Sequence, residues 1–172
     1  MPYCNICRQN IQDAAQPLET AQVRSNVRKF RNETFRLWRC PQCKSIHATD
    51  EVDLAHYYRD YPFHHVGQKI DWMLRAMYRV QLSRLRKAGF GKAHALLDYG
   101  CGSGGFVRFL REEGYENAHG YDEYSPGFDD RKVLSSRYDF ILSQDVLEHV
   151  PDPWAFLHTL RELVVPGGVI SL

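Results

Sequence analysis

The sequence predicts an α/β fold, a doubly wound sheet of parallel strands preceded by a small cysteine-bound module. Three observations carry that expectation. A glycine-rich turn, Asp98-Tyr99-Gly100-Cys101-Gly102-Ser103-Gly104-Gly105, stands between an apolar run (Ala95, Leu96, Leu97) and a helical pattern. Beyond it, short apolar runs alternate with helical stretches as far as Leu172, the order that winds a parallel sheet. Toward the other end, Cys4-x-x-Cys7 and Cys40-x-x-Cys43 form two pairs separated by 32 residues.

With 172 residues, 44% of them apolar, the chain is long enough for one ordinary domain and a small appendage. A formal net charge of +1 argues against bulk binding to nucleic acid or anionic membrane. The charge is uneven, however. In residues 1–48 eight basic residues face Asp13, Glu19 and Glu33, leaving +5, so the remainder carries −4. No run approaches the roughly 18 apolar residues of a membrane helix, and no signal-peptide core follows Met1. The chain is therefore expected in the cytoplasm, where unpaired cysteines are ordinary.

A CxxC turn points both sulfurs at one place, so two such turns supply four thiolates to a tetrahedral zinc. Cys4, Cys7, Cys40 and Cys43 are expected to form a closed, structural zinc site in a zinc-ribbon-like module spanning 1–48. The intervening stretch is longer than in the tightest ribbons, which predicts disorder or a local hairpin within 13–31. Partial alternation of Phe35, Leu37 and Cys40 predicts a strand entering the second pair. Neither pair has the strand–helix surroundings of a redox centre. Residues 49–66 read as an aromatic connector containing Tyr57, Tyr58, Tyr61, Phe63, His64 and His65. It either lies over a ligand site or fills the seam beside the third segment, the core at 67–172.

Within that core, Ile70, Met73, Leu74, Met77, Val80 and Leu85 recur at three-and-four spacing, predicting a helix over 68–87 that Gly89 stops. Arg75, Arg79, Arg84, Arg86 and Lys87 would form its solvated face. Strands are expected at 94–99, 118–122 and 138–145, with a helix from Gly105 to Glu113 that Gly114 terminates. Only fifteen residues separate Asp122 from Tyr138, too few for a further helix and a full strand, so 132–134 is read as a strand remnant. Asp152 caps a helix begun by Pro153, whose buried face is read as Trp154, Leu157, Leu160, Leu163 and Val164. Pro166-Gly167-Gly168 then turns the chain into a last strand.

The glycines of the 98–105 turn let backbone approach a ligand, and the helix that follows offers unpaired N–H groups. Asp122 closes the next strand where a ribose-binding carboxylate belongs. Together they indicate a nucleoside cofactor. Gly100, Gly102 and Gly105 also fit the dinucleotide GxGxxG pattern, so spacing alone leaves nicotinamide and flavin chemistry open. Asp98, two residues before the first glycine, suits a cationic ligand and repels a pyrophosphate. LLDYGCGSGGFVRFL, and further on YDFILSQDVLEHVPDPWAFLHTLRELVVPGGVISL, resemble the class I S-adenosylmethionine-dependent methyltransferases over 96–172.

That resemblance implies a Rossmann-like sheet and S-adenosylmethionine as cofactor. It places the methionine portion against Gly100, Cys101, Gly102 and Gly104, its ammonium at Asp98, and the ribose at Asp122 with Glu123 beside it. Ser143, Gln144 and Asp145, at the end of the fourth family strand, face methionine or acceptor. Family members continue with two more strands, so the chain reads as C-terminally truncated, with self-association at the open edge or a disordered C-terminus expected, and poor turnover. His149 is the best general-base candidate, since its ordinary pKa lies near neutrality. The acceptor is expected to be a small molecule or a sugar or polysaccharide precursor. Alternatives are an RNA or protein methyltransferase gripped by the basic zinc module, or a truncated cofactor-binding module without turnover.

Overall fold

The computed structural model describes residues 3–11, 19–25, 27–50, 52–59 and 69–172. Expectations for Tyr61, Phe63, His64, His65 and the side chain of Tyr58 lie outside the described residues. The chain divides into two compact units, in the main up to Asp53 and from Leu54 onward.

In the first unit, β1 (Tyr3–Cys4) pairs antiparallel with β2 (Gln9–Asn10). A meander follows, of β3 (Thr20–Arg24), β4 (Thr34–Arg39) and β5 (Ile46–Ala48). β4 runs into Cys40, as the alternation of Phe35 and Leu37 predicts. Its buried cluster among the described residues is only Cys4, Ile11, Trp38 and Cys40, a core too small to hold a fold by apolar burial alone.

The second unit opens with α1 (Leu54–Arg59) and α2 (Trp72–Lys87). Four parallel strands follow, β6 (Leu96–Tyr99), β7 (Ala118–Tyr121), β8 (Tyr138–Leu142) and β9 (Val164–Ser171), ordered β7-β6-β8-β9. α3 (Gly105–Glu112) and α4 (Pro153–Leu163) are the crossovers. Side chains alternate across a strand, so Leu96, Phe140 and Leu142 face one layer with α2 and α3, while Leu97 and Ile141 face the other with Phe156, Leu160 and Leu163 of α4. The sheet is thus doubly wound and Rossmann-like.

Four local expectations are corrected. Residues 132–134 are no strand remnant, because Arg131–Ser135 is a 3₁₀ turn and the sheet passes directly from β7's neighbour to β8. Helix α2 begins at Trp72, with Asp71 Oδ1 accepting from the Leu74 amide at 2.8 Å. It buries Leu82 and Leu85 with Leu74 and Tyr78 half-buried above them, whereas Met73, Met77 and Val80 are 56%, 61% and 55% exposed. Two apolar stripes overlap on this helix, and the face carrying Tyr78 and Leu82 is the one that meets α3. On α4, Phe156 rather than Trp154 fills the core, and Trp154 is 44% exposed although Asp152 caps the helix as expected. Pro166-Gly167-Gly168 does not end a turn before the strand but lies inside β9. There the pairing jumps from Tyr138↔Val164 to Phe140↔Val169, and the extra residues loop out.

These burials set an expected contrast. Leu82→Ala should cost about 2–5 kcal/mol of stability and Met77→Ala less than about 0.5, measured by urea unfolding. Equal losses would return the buried face of α2 to the Met77 side.

Candidate functional site

The crossovers from the neighbouring strands β6 and β8 run to opposite sides, through α3 to β7 and through α4 to β9, so a crevice opens at the carboxyl end of β6. The glycine turn occupies that end. Tyr121 O accepts from the amides of Gly100 and Cys101 at 2.7 and 3.2 Å, which fastens the turn to the tip of β7. Gly100 (φ +82°) and Gly104 (φ +69°) adopt the left-handed region, and a Cβ on either would collide, with Val146 and with the Phe128 ring respectively. The Phe128 ring also lies against Gly120, and the Phe128 carbonyl accepts from the Asp122 amide at 2.9 Å. Sequence reasoning had no signal for this residue.

Asp122 is 8% exposed and links two loops: its Oδ2 accepts from the Gly102 amide at 2.9 Å and its Oδ1 from the Tyr124 amide at 2.9 Å. Asp98 is 7% exposed, and its carboxyl accepts no hydrogen bond among the described residues. Burial, and then the charge of Asp122, push its carboxyl up to about 7. Burial and the same two carboxylates drive the Cys101 thiol well above its ordinary range, so this cysteine is unreactive.

A cavity of about 530 Å³ opens over the turn. Of the residues the sequence singles out, Gly100, Cys101, Gly102, Asp122 and Glu123 line it from one side, and Gln144, Asp145 and His149 from the other. Asp98 and Gly104 stand behind this wall. Glu123 is engaged at the rim, its Oε1 accepting from Arg131 at 3.0 Å. Ser143 lies beneath, 2% exposed, its amide on Ser171 O at 2.9 Å. Asp145 holds φ +53°, strained for a residue with a side chain, at the mouth where the chain leaves β8. His149 ends the 3₁₀ turn Leu147–His149. The sequence reading missed the aromatic walls: Tyr78 from α2, and Tyr99 and Tyr121 with ring centroids 5.1 Å apart beside Phe156 of α4. Period-two and period-four burial are equally satisfied by core aromatics, which is why they gave no site signal.

In the first unit the four cysteines converge. Cys4 Sγ lies 3.6 Å from Cys43 Sγ, Cys7 Sγ lies 3.8 Å from Cys40 Sγ, and all four sulfurs fall within 4.8 Å of one another, with no disulfide. Tetrahedral coordination at about 2.3 Å per bond separates sulfurs by about 3.8 Å, so the spacing fits a zinc-sized ion. Burial opposes ionisation of Cys4, but hydrogen bonds from the Cys7 amide and from Ser45 outweigh it and draw the thiol down to about 5. Cys7 is pushed up, by burial and by the neighbouring sulfurs. Were all four ionised, sulfurs this close would need a cation between them. Ser45 and His47, which the sequence reading passed over, stand beside them. Ser45 Oγ is 2.9 Å from Cys43 Sγ and 2.7 Å from His47 Nε2, and His47 stacks on Trp38 at 4.5 Å.

Compared with known proteins, residues 73–172 match the family described as a methyltransferase domain. The chain is 29% identical over 107 residues to the ubiquinone biosynthesis O-methyltransferase of Photorhabdus laumondii, covering 49% of this chain and 44% of that protein. The protein of the same name from Salmonella arizonae is 29% identical over 106 residues, 47% of this chain and 41% of its own length. That of Cereibacter sphaeroides is 43% identical over 42 residues, 24% of this chain and 17% of its own. The chain thus spans less than half the length of these relatives.

The burial of Asp98 carries a measurable cost. Its carboxyl keeps a proton up to about 7 in the folded chain but loses it near 3.8 when unfolded. Its contribution to stability is therefore full below about pH 4 and declines as pH rises toward 7, by on the order of 4 kcal/mol. Asp98→Asn should raise the thermal midpoint of the ligand-free chain at pH 8 and change it little at pH 4. Equal shifts at both values would show that the carboxyl is solvated.

Proposed function

Because the chain belongs to the methyltransferase-domain family, we propose that it is a class I S-adenosylmethionine-dependent methyltransferase acting on a small molecule or a sugar or polysaccharide precursor. The observation that carries this reading is the buried Asp122 carboxylate at the tip of β7, beside a left-handed glycine turn that opens on a cavity of cofactor size. S-adenosylmethionine supplies the methyl group together with its own leaving group, so the protein's work is positioning, electrostatics and proton removal.

Asp122 uses its remaining lone pairs to accept from ribose hydroxyls, since each oxygen already takes one backbone N–H. Asp98 is the carboxylate for an ammonium group. An acid that accepts no hydrogen bond among the described residues and keeps its proton up to about 7 ionises readily once a cation arrives. The backbone of Gly100, Cys101, Gly102 and Gly104 packs the methionine portion, with Glu123, Gln144 and Asp145 at the rim. The Tyr99–Tyr121–Phe156 wall presents aromatic faces, which would favour a sulfonium. His149, at the mouth, removes the proton from an acceptor hydroxyl as the new bond forms. The relatives' names support an acceptor of small-molecule size.

The cysteine quartet holds one structural zinc, with no open position for water. A second reading, an RNA or protein acceptor, is favoured by one observation: Arg24, Arg28, Lys29 and Arg31 are all exposed at the hairpin end of β3 and β4. Steep salt dependence of acceptor binding would select it.

Three outcomes are expected. Asp122→Ala weakens S-adenosylhomocysteine binding in calorimetry by about tenfold or more, since hydrogen bonds to a charged acceptor contribute about 1.5–3 kcal/mol. His149→Ala lowers turnover about 10²-fold or more while cofactor affinity holds, and an unchanged kcat would remove it as base. Elemental analysis of reduced protein returns one zinc per chain, and its chelation unfolds the first unit. A metal-free, fully folded unit would refute the site.

A further inference from the structure

The two cysteine turns of the first unit close in the same way. In each, the residue after the second cysteine takes a left-handed backbone, Arg8 at φ +58° and Lys44 at φ +65°. Its amide donates to the carbonyl of the first cysteine, at 2.8 Å on Cys4 and at 3.0 Å on Cys40. The next residue is Gln9 in one turn and Ser45 in the other, so the backbone of the turn does not call for a serine. Ser45 is nevertheless pinned in place, because its carbonyl accepts from the Cys40 amide at 2.8 Å.

What the serine adds is a hydroxyl. Ser45 Oγ stands 2.9 Å from Cys43 Sγ and 3.5 Å from Cys4 Sγ. His47 Nε2 stands 2.7 Å from Ser45 Oγ and 3.3 Å from Cys4 Sγ. The direction of these bonds follows from the sulfurs, since a cysteine that ligates a metal is a thiolate and can only accept. The Ser45 hydroxyl must then donate to Cys43, its oxygen must accept from His47, and the imidazole must carry its proton on Nε2. A protonated ring nitrogen has no lone pair for a metal, so Nε2 of His47 is a donor to the site rather than a fifth ligand. Stacking on the buried Trp38, with ring centroids 4.5 Å apart and planes 21° from parallel, holds the imidazole in that orientation.

The four sulfurs differ in what they need. Cys4 and Cys40 are buried and Cys7 half-buried, whereas Cys43 is exposed. Cys43 is therefore the sulfur at which a chelator or an electrophile reaches the site. Four thiolates around one divalent ion also leave an excess of negative charge, which hydrogen-bond donors disperse.

We propose that Ser45 and His47 are positioning residues of the metal site: His47 donates to Ser45, Ser45 donates to Cys43, and this relay keeps the exposed sulfur on the metal. The proposal rests on the zinc reading given above and goes beyond it, because it assigns two residues outside the cysteine pairs and names the sulfur they protect.

The test uses the whole zinc-loaded protein and three single variants. Ser45→Ala removes the hydroxyl, Ser45→Thr keeps it, and His47→Phe keeps a ring on Trp38 while removing the N–H. Competition with a chromophoric chelator reads zinc affinity, and mass mapping of iodoacetamide adducts reads the rate of alkylation at each cysteine. Ser45→Ala and His47→Phe are each expected to weaken zinc binding about tenfold or more and to speed alkylation at Cys43 ahead of the other three sulfurs. Combining them should cost little more than either alone, since one broken link already interrupts the relay, and Ser45→Thr should behave as the wild type. Unchanged affinity and alkylation in both, or an equal rise at all four sulfurs, overturn the relay while the zinc reading stands. A wild-type protein that holds no zinc overturns that reading and this proposal together.

Discussion

The carboxylate of Asp122 is the constraint on which the rest of the site depends. It sits at the end of one strand and takes an amide from the glycine turn that ends its neighbour, so two loops from different crossovers are held in one geometry by a single side chain. The bond to Gly102 is charge-assisted and buried, conditions under which it is stronger than a neutral one. The glycine turn is thereby fixed before any ligand arrives. A turn held by the protein's own hydrogen bonds needs no reorganisation when a ligand packs on it, and the Asp122 bridge supplies that condition.

The second consequence is architectural. With fifteen residues between Asp122 and Tyr138, the chain cannot build another strand and helix, and β7 becomes the outer strand of the sheet on that side. The volume is filled with aromatic side chains instead. Tyr138 is 2% exposed and donates to Val133 O at 2.6 Å, Tyr121 packs beside Tyr99, and the Phe128 ring covers Gly104 and Gly120. Aromatic rings bury more area per residue than aliphatic ones, so one loop phenylalanine together with tyrosines of the adjoining strands can stand in for a packed helix. The same substitution gives the cavity its aromatic wall.

What was legible in the sequence follows from how local each signal is. The glycine turn, Asp122, the Asp152 cap and the two cysteine pairs are readable because their chemistry is carried by a few residues at fixed spacing. The Rossmann-like sheet is readable because alternating runs specify it. Tyr78 and Phe128 are not readable in this way. Tyr78 lies on a helix with two overlapping apolar stripes, and only contact with Phe106 and Phe109 decides between them. Phe128 acts through the space above two glycines brought together by the sheet. Nor does the cysteine spacing reveal Ser45 and His47, which reach Cys43 and Cys4 only once β5 has paired with β4. In each case the deciding information is a long-range contact, and periodicity carries none of it.

The two acids at the carboxyl end of the sheet illustrate how the fold tolerates what the site requires. Asp122 is stabilised by two amides, so its burial is offset within the protein. Asp98, one strand over in register with Gly120, has no such partner among the described residues, and the neighbouring charge makes its ionisation harder still. An apolar or amide side chain there would stabilise the empty fold. What the aspartate gains in return is a carboxylate whose strongest available partner is an incoming cation, in a place where low dielectric makes that partnership large. The reading proposed above follows that asymmetry: a ligand bringing a cation would complete Asp98, and one bringing hydroxyls would use the lone pairs that Asp122 has left after its two amides.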